Sequence, residues 1–539
     1  MKHIKLLDCT MRDGGYINDW KFGHSTIVSI YKRLDDSGVD FIEVGFLDDR
    51  RTFDMDRSIQ PDTTSFNKIY AGVQKKHATP VAMIDFGTCN IDNISPAKDT
   101  FIDGIRVIFK KEKIDEALPF CKAIKDKGYK LFIQAVSITS YSDMEMLEYI
   151  QKINKIHPTA FSIVDTYGLL NNRKLAHYFD LLDNNLSPDI KIGYHGHNNF
   201  QLAFSNTMKF LQLETKRTIV ADASVYGMGK SAGNCAIELL ALYMNSTFGT
   251  KYDINQYLEI FETNLSHVYR EHYWGYKYNF YIAAMQQCHP NYVNYLLDKK
   301  TLTVTDINLI LAKVPQSKKL SYDAKYIEQL YMQYQSNAID DGIALKELKS
   351  QICDASILLL GSGSSIVTES KKVKKFIAMN NSVVIAVNCD PSEYNCDYIF
   401  LSNAKRYISL MDTDLKEKLI ITSNVSDYDH KAKYVLNFAS SLGKTNIKSD
   451  NALLLLLNNL IRLGIKEVAL AGFDGYKSNE QNYYSESLEF AGNDDYKIKN
   501  NKVMAQALKQ LNNQIKIEFI TPSLYEASDT NGSQGGAIL

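Results

Sequence analysis

Two histidines separated by one residue, His195 and His197, are of a type and spacing that suggest chemistry. They lie near the end of a predicted strand over Lys191–Asn199, and alternate side chains of a strand share a face. Their imidazoles therefore point the same way, about 6–7 Å apart along the backbone. Two imidazoles so placed can close on one metal ion. By itself, however, the pattern is more typical of two polar residues that are hydrogen-bonded locally at a strand end.

The first 250 residues alternate short apolar runs, rich in β-branched residues, with amphipathic helical patterns. The predicted strands are Ile4–Cys9, Phe41–Phe46, Val81–Phe86, Ile105–Phe109, Leu131–Val136, Phe161–Val164, Ile192–His197 and Ile219–Val225. Eight strand–helix repeats in this length predict a (β/α)8 barrel, the TIM-barrel fold, over residues 1–250. A doubly wound open sheet is the alternative.

Polar residues follow or end several of these strands, at the end where a barrel gathers its chemistry. Arg12 and Asp13 follow the first strand, and Glu43 lies in the second. The Arg-Asp pair is either a surface ion pair or a metal ligand, Asp13, beside a cation, Arg12. With His195 and His197, Asp13 makes a set of two histidines and one carboxylate that leaves coordination positions open for substrate and water.

Five motifs, in order along the chain, resemble those of the barrel metallo-lyases and synthases. That family includes hydroxymethylglutaryl-CoA lyase, isopropylmalate synthase and the 4-hydroxy-2-oxovalerate (pyruvate) aldolases. The motifs are Asp8–Gly14, Ile42–Gly45, Asp165–Gly168, His195–Asn199 and Gly227–Asn234. The resemblance covers residues 1–250 and, more loosely, the helical stretch up to residue 335.

The resemblance implies a divalent metal ion, Mn²⁺ or Mg²⁺, held by Asp13, His195 and His197, with Asn234 as a further ligand in some members. Such an ion would chelate the carboxylate and keto oxygens of a 2-oxo acid and stabilise the enolate left by carbon–carbon cleavage. The predicted activity is therefore a class II aldolase of the 4-hydroxy-2-oxo acid type. It would make or break the bond between a pyruvate-type enolate and an aldehyde.

The catalytic residues predicted around this ion are Arg12, Tyr16, Glu43 and His289. Arg12 would face the enolate oxygen with its planar, permanently charged guanidinium, and Glu43 either orients Arg12 or is only a buried structural partner. Pyruvate aldolases have a histidine as general base where this chain has Tyr16, and a phenol with a pKa of about 10 is a poor base at neutral pH. Either Tyr16 acts with a metal-bound water, or His289 or Tyr292 supplies the base, or the reaction differs. A lone histidine before a proline is also typical of a structural residue.

Two other functions remain open. An acyl-CoA-dependent Claisen synthase, such as an isopropylmalate synthase, matches less well, because neither its usual glutamine after the Arg-Asp-Gly nor a CoA site is evident. A non-catalytic binding scaffold on an inactive barrel is favoured only by Tyr16.

The rest of the chain divides into three predicted parts. Residues 251–340 form a helical extension, with helices over Asn255–Tyr276 and Phe280–Leu297, that either caps the active-site mouth or builds a dimer face. Residues 345–527 restart the strand–helix alternation and predict a Rossmann-like α/β domain. Residues 528–539 are polar and glycine-rich and predict a disordered tail.

In the Rossmann-like region, Gly361, Ser362, Gly363 and Ser364 join a predicted strand to a predicted helix, where backbone N–H groups can cradle a phosphate. The third glycine of a dinucleotide fingerprint is missing, so we expect a nucleotide or nucleotide-sugar rather than NAD. With Leu470–Gly475, this motif loosely resembles Rossmann-like domains near bacterial sialyltransferase-type and glycan-modifying enzymes. Fused to the barrel, this domain would bind a nucleotide-linked or sugar-derived aldehyde, which would place the protein in surface-glycan biosynthesis. The alternative is a fold that only binds or tethers.

The composition is that of an ordinary globular protein, with 45% hydrophobic residues, 23% charged residues and a net charge of -1. Because the charges are spread along the chain, we expect small-molecule 2-oxo acid and aldehyde substrates, and neither nucleic acid nor membrane as partner. Scattered cysteines, no signal-peptide core and no apolar run of about 18–20 residues predict a cytoplasmic protein. We also expect a homo-oligomer.

Overall fold

The structure is a computed structural model of the chain and describes residues 3–299, 301–411, 413–425, 432–443, 450–477, 481–485, 488 and 494–526. The predicted disordered tail, 528–539, lies outside these residues. Two compact units are present: a barrel unit, Met1–Asn294 with Val314–Tyr322, and a second unit, Tyr295–Lys313 with Asp323–Leu539. The stretch predicted as a helical extension is shared between them, and the predicted domain limits stay predictions. Among the described helices, none is long and apolar enough to cross a membrane.

The part of the barrel unit that the structure describes contains nine strands: β1 (Ile4–Asp8), β2 (Phe41–Leu47), β3 (Ile59–Gln60), β4 (Thr79–Asp85), β5 (Gly104–Ile108), β6 (Lys130–Ala135), β7 (Ala160–Asp165), β8 (Lys191–Gly196) and β9 (Ile219–Ala223). All pairs are parallel, and β1 pairs with both β9 and β2, which closes a barrel of eight strands. The two-residue β3 only extends the edge beside β2. The predicted (β/α)8 barrel is therefore confirmed, and each of its eight predicted strands is present.

Hydrophobic residues fill this barrel on both faces of the sheet, as parallel sheets require. The floor of the interior is an apolar cluster of Leu7, Cys9, Phe41, Val81, Phe132, Ala160 and Val220. Glu43 and Asp222 lie two residues beyond Phe41 and Val220 on the same strands. Their side chains therefore also point inward, one layer nearer the carboxyl ends. The sequence thus places a polar layer directly above an apolar floor.

Helices surround the barrel strands and continue beyond them. They are Thr10–Asp13, Gly15–Asn18, His24–Asp36, Ser65–Ile69, Ile114–Asp126, Asp143–Ile156, Asn172–Asn185, Ala203–Gln212, Ile237–Phe248, Ile254–Ile260, Ser266–Glu271, Tyr278–Met285, Pro290–Asp298 and Gln316–Lys319. The helix predicted over Asn255–Tyr276 ends at Glu271 and contains a π-helical turn. The helix predicted over Phe280–Leu297 is wrong as a single element, because Gln287 has a φ of +53° and Pro290 starts a new helix.

In its described residues the second unit has seven strands: β10 (Ile357–Leu360), β11 (Val383–Val387), β12 (Tyr398–Leu401), β13 (Leu419–Thr422), β14 (Tyr434–Leu436), β15 (Glu467–Ala471) and β16 (Lys516–Phe519). They form one parallel sheet in the order β14-β13-β12-β11-β10-β15-β16, so the order reverses between β10 and β15. Its helices are Val304–Ala312, Ala324–Gln335, Gly342–Ile352, Ser365–Thr368, Ser370–Asn380, Ala404–Leu410, Phe438–Ser441, Ala452–Leu463 and Asp494–Leu511.

Both faces of this second sheet are buried. Ile357 and Leu359 of β10 belong to one apolar cluster with the helix Ala452–Leu463, whereas Leu358 and Leu360 belong to another. Alternation of this kind is the pattern of a sheet covered on both sides. The predicted second α/β unit is confirmed at that level; its description as Rossmann-like stays a prediction.

Candidate metal centre

Asp13, His195 and His197 meet at the carboxyl end of the barrel. Asp13 ends the short helix after β1, His195 lies in β8, and His197 lies one residue beyond that strand. One potential ligand atom from each residue lies within 4.8 Å of those of the other two. Within the described part of the chain, these three form the one group of His, Cys, Asp or Glu residues that could hold a metal ion. All three side chains are buried. The structure thus brings together the three ligands predicted from the sequence.

Hydrogen bonds decide which nitrogen of each imidazole faces this group. His197 Nδ1 lies 3.2 Å from the carbonyl oxygen of Lys230, and His195 Nδ1 lies 3.1 Å from Asp222 Oδ2. A carbonyl and an ionised carboxylate can only accept, so both Nδ1 atoms carry the proton. Both Nε2 lone pairs are then free to bind a metal ion.

Asn234, the further ligand that the resemblance implies, lies against Asp13. Its Nδ2 donates to Asp13 Oδ2 at 2.8 Å, while its Oδ1 is buried and has no hydrogen-bond partner among the described residues. Gly229 leaves the room for this arrangement, because a Cβ there would lie 2.4 Å from Asn234 Nδ2 and 2.6 Å from Asp13 Oδ2. An oxygen-and-imidazole set with a buried unpaired oxygen fits a divalent cation such as Mn²⁺ or Mg²⁺.

Arg12 stands beside this group and is fixed by two carboxylates. Its Nη1 donates to Asp13 Oδ1 at 2.5 Å and its Nε donates to Glu43 Oε2 at 2.6 Å. Glu43 is fully buried and Arg12 is 6% exposed. Glu43 is therefore the buried partner of Arg12, and the choice between the two roles predicted for it stays a prediction.

Electrostatics keep the ligands in their binding forms. Burial opposes ionisation of Asp13, but the charge of Arg12, the histidines and the Asn234 hydrogen bond outweigh it, so the pKa of Asp13 lies below its usual range. Burial lowers the pKa of His197 to about 4, in spite of the nearby Asp13 charge. At neutral pH this carboxylate is ionised and this imidazole is neutral, the states that a metal ligand needs.

Residues 3–263 match the family model described as HMGL-like. This part of the chain is an HMGL-like domain. An oxaloacetate decarboxylase of Mycobacterium tuberculosis is 24% identical over 237 residues, which cover 44% of this chain and 68% of that protein. A 4-hydroxy-2-oxovalerate aldolase of Marinomonas sp. is 25% identical over 250 residues, covering 45% and 70%. A probable 2-isopropylmalate synthase of Methanosarcina acetivorans is 26% identical over 259 residues, covering 47% and 48%.

These relatives are named for lyase, decarboxylase and synthase reactions, which supports an enzymatic role for the HMGL-like domain. Their names differ in the reaction, and identities of 24–26% leave the reaction of this chain to be proposed.

Tyr16 and His289, two of the three residues predicted as possible bases of the HMGL-like domain, are both held in neutral forms. Tyr16 is 40% exposed, but its surroundings desolvate the phenol and raise its pKa to about 12. Its ring packs on Trp20 at 4.7 Å and beneath Lys230 Nζ at 5.2 Å. Burial lowers the pKa of His289 to about 4. His289 Nδ1 accepts a hydrogen bond from Asn291 N at 3.1 Å, so its proton lies on Nε2. Both neutral groups can therefore donate a hydrogen bond at neutral pH, and their catalytic roles stay predictions.

Arg106 and Asp222 are residues of the polar layer that the sequence analysis did not single out. Each is a charged residue inside an otherwise apolar strand, β5 or β9, and each is at most 3% exposed. An ion pair joins them across the barrel. The sequence signal that could have identified them is a charged residue within a predicted buried strand, because burial of a charge costs free energy unless the charge is paired.

In the second unit, Gly361, Ser362 and Gly363 line a cavity of about 560 Å³ at the carboxyl end of the sheet, where the strand order reverses. The N–H groups of Gly361, Gly363 and Ser364 already donate to backbone carbonyl oxygens. The N–H and hydroxyl groups of Ser365, which begins the next helix, both donate to the Asp474 carboxylate. Three of the four N–H groups predicted to cradle a phosphate are therefore engaged within the protein, although the predicted glycines do border a cavity.

Proposed function

We propose that the HMGL-like domain is a divalent-metal-dependent carbon–carbon lyase that makes or breaks the bond between a pyruvate-type enolate and an aldehyde. The observation that carries this proposal is the convergence of Asp13, His195 and His197 beside a fixed arginine, with Asn234 hydrogen-bonded to Asp13. The aldolase relative adds support from sequence. Oxygen and imidazole ligands of this kind suit Mn²⁺ or Mg²⁺.

A bound divalent ion would supply fixed positive charge for the oxygens of a 2-oxo acid. Arg12 would add a second positive charge from the protein. Since Asp13 and Glu43 occupy its Nη1 and Nε, its Nη2 is the donor proposed for the oxygen on which negative charge develops. The buried ion pairs hold this donor in place before the substrate arrives, so little reorganisation is needed during the reaction.

Tyr16 and His289 would act as hydrogen-bond donors in their neutral forms. The phenol of Tyr16 keeps its proton because its pKa is raised to about 12. His289 Nε2 carries a proton because Nδ1 accepts from Asn291. Either group can donate a hydrogen bond to the oxygen derived from the aldehyde. We therefore propose these two residues as hydrogen-bond donors rather than as the histidine-like general base of the pyruvate aldolases.

Exchange of pyruvate methyl protons for deuterium tests the half-reaction without knowledge of the aldehyde. The full chain with Mn²⁺ or Mg²⁺ in D₂O should exchange these protons, and EDTA should stop it. Asp13→Asn and His195→Gln should lower the rate at least 10²-fold, a loss of about 3 kcal/mol. His177→Gln, which changes an exposed histidine paired with Asp143, should leave the rate unchanged. Absence of metal-dependent exchange in the wild-type chain, tested also with 2-oxobutyrate, contradicts the proposal.

An acyl-CoA-dependent Claisen synthase is the second candidate, and the match to a probable 2-isopropylmalate synthase favours it. Release of free thiol from acetyl-CoA in the presence of a 2-oxo acid would indicate this reaction. Release of pyruvate from 4-hydroxy-2-oxo acids would indicate the aldolase. If neither product forms and no pyruvate exchange occurs, the domain is a binding scaffold.

For the second unit we propose binding of a nucleotide or nucleotide-sugar in the cavity beside Gly361 and Gly363, which would connect the chain with surface-glycan biosynthesis. Crevices at such a reversal of strand order are where open α/β sheets bind ligands. Because three of the four local N–H groups are engaged, the Arg406 side chain, which also lines the cavity, is the proposed phosphate contact. Calorimetry of the full chain with UDP, CMP and their sugar conjugates tests this. Binding that is weakened by Arg406→Gln supports it, and no heat with any of them contradicts it.

A further inference from the structure

A row of buried ion pairs begins at Asp13 and runs down into the barrel. Arg12 bridges Asp13 and Glu43, at 2.5 and 2.6 Å. Glu43 Oε2 also lies 3.2 Å from Nη1 of Arg106, so one carboxylate oxygen is shared by two guanidinium groups. All four side chains are at most 6% exposed. In such a place a charge is tolerated only when it is paired, so each residue depends on the next.

The same row of polar contacts continues from Arg106 to His195, another predicted metal ligand. Nη2 of Arg106 contacts Asp222 Oδ2 and also donates to Gln134 Oε1 at 3.0 Å. Asp222 Oδ2 in turn lies 3.1 Å from His195 Nδ1. Alternating charges thus connect one predicted metal ligand, Asp13, with another, His195, through the polar layer of the barrel.

We propose that Asp222 and Arg106 are positioning residues of the metal centre: Asp222 holds His195 in the tautomer whose Nε2 faces the ion, and Arg106 ties Asp222 to Glu43 and Arg12. This inference rests on the proposed metal site. Asp222 is paired with the guanidinium of Arg106, and a neighbouring cation favours the ionised form of a carboxylate. An ionised carboxylate can only accept, so the His195 proton is held on Nδ1. Such outer carboxylates fix ring orientation and raise the basicity of a ligating histidine.

The proposal separates these residues from an ordinary structural ion pair. A structural pair would affect folding stability alone, whereas a positioning pair also affects the tautomer of His195 and the affinity for metal. Loss of a partner of this type lowers metal affinity by about 10–100-fold. Because Arg106 and Asp222 act in one row, their effects on affinity should not add.

The test uses the full chain with ring-¹⁵N-labelled histidine, and His195 is identified by the signal lost in His195→Gln. Metal-free wild-type protein should show His195 protonated at Nδ1, and Asp222→Ala should shift its proton toward Nε2. Calorimetry with Mn²⁺ should show 10–100-fold weaker binding to Asp222→Ala. Asp222→Asn, which keeps an accepting oxygen, should restore the Nδ1 tautomer and part of the affinity. The matched control is Asp35→Ala, since Asp35 is equally buried but accepts only from the backbone of residues 76–78.

The outcomes are distinct. If Asp222→Ala keeps the Nδ1 tautomer and binds Mn²⁺ within two-fold of wild type, the inference is wrong. If Arg106→Gln and Asp222→Ala weaken binding additively, the connection through Arg106 is wrong. If the wild-type chain binds no Mn²⁺, the proposed metal site fails, and the tautomer in metal-free protein still decides the role of Asp222. If Asp222→Ala does not fold, the same measurements on Asp222→Asn and Asp222→Ser decide the question.

Discussion

Replacement of Arg12 by lysine tests whether the metal centre needs a guanidinium that can bind two carboxylates at once. The guanidinium meets Asp13 through Nη1 and Glu43 through Nε, at 2.5 and 2.6 Å. A lysine ammonium is a single point of charge on a flexible stem and cannot hold both carboxylates while also presenting a donor to the substrate. Arg12→Lys therefore keeps the charge but loses the geometry.

The contacts set the size of the effect. One charge-assisted hydrogen bond contributes about 1.5–3 kcal/mol, and its loss in this buried place leaves a carboxylate without its partner. We expect the free energy of unfolding to fall by about 3 kcal/mol. If the lost donor acts on the developing negative charge, the rate of deuterium exchange into pyruvate should fall roughly 10–10²-fold.

Arg50→Lys is the matched control. Arg50 binds Asp48 through two hydrogen bonds of 2.7 and 2.6 Å, but its side chain is 68% exposed. An ion pair whose cation is this exposed contributes about 0–1 kcal/mol, so this substitution should change neither stability nor exchange appreciably. If Arg12→Lys exchanges deuterium within three-fold of wild type under saturating Mn²⁺, Arg12 is not the proposed donor and the reasoning is refuted.

Three further predictions concern single substitutions. Gly229→Ala places a methyl group 2.4–2.6 Å from Asn234 and Asp13, so Mn²⁺ affinity measured by calorimetry should fall at least ten-fold. The control Gly342→Ala should bind Mn²⁺ normally. Unchanged affinity in Gly229→Ala would show that the site does not need the space beside Gly229. Burial raises the pKa of Asp8 to about 7 from 3.8, so the stability it contributes is present below pH 4 and is lost as pH rises through 7. Urea unfolding of Asp8→Asn should lack that loss, at most about 4 kcal/mol, and an unchanged pH dependence would show that Asp8 is not its source. Tyr16→Phe should keep the wild-type pH profile of pyruvate exchange between pH 6 and 9, because a phenol with a pKa of about 12 does not titrate there; loss of an ionisation from that profile would make Tyr16 the base.

The barrel and its three predicted ligands were accessible from the sequence because they depend on local patterns. Apolar runs separated by helical periodicity specify a parallel barrel, and the carboxyl ends of its strands then converge whatever their separation along the chain. Asp13 and His195 are far apart in the sequence, but both lie at the carboxyl end of the barrel, where their ligand atoms come close together. The role of Glu43 as the partner of Arg12 follows from the same convergence.

Arg106 and Asp222 were not predicted, because their partners are set by closure of the barrel. They are 116 residues apart and lie in strands that do not pair with one another. A charged residue in an apolar strand indicates that it has a partner of opposite charge. Only the positions of the inward-facing residues in the folded barrel show which residue that partner is. Metal-facing tautomers likewise depend on contacts such as His197 to Lys230, which no spacing in the sequence indicates.

Burial explains the other differences. The sequence shows a phenol at Tyr16 and an imidazole at His289, but their pKa values depend on desolvation, which moves both away from neutral pH. In the second unit the turn at Gly361–Ser364 was predicted, but its engaged N–H groups were not. The Asp474 carboxylate that binds Ser365 comes from a loop 109 residues later, and a local motif contains no sign of it.

Titration of the full chain with Mn²⁺, followed by the electron paramagnetic resonance signal of the free ion, tests the central claim most directly. Wild-type protein should remove one equivalent of Mn²⁺ from solution with high affinity. Asp13→Ala and His195→Ala should each abolish that binding, while Asp35→Ala should retain it. Equal Mn²⁺ binding by wild type and by both ligand variants, or none by the wild-type chain, would contradict a metal centre at Asp13, His195 and His197.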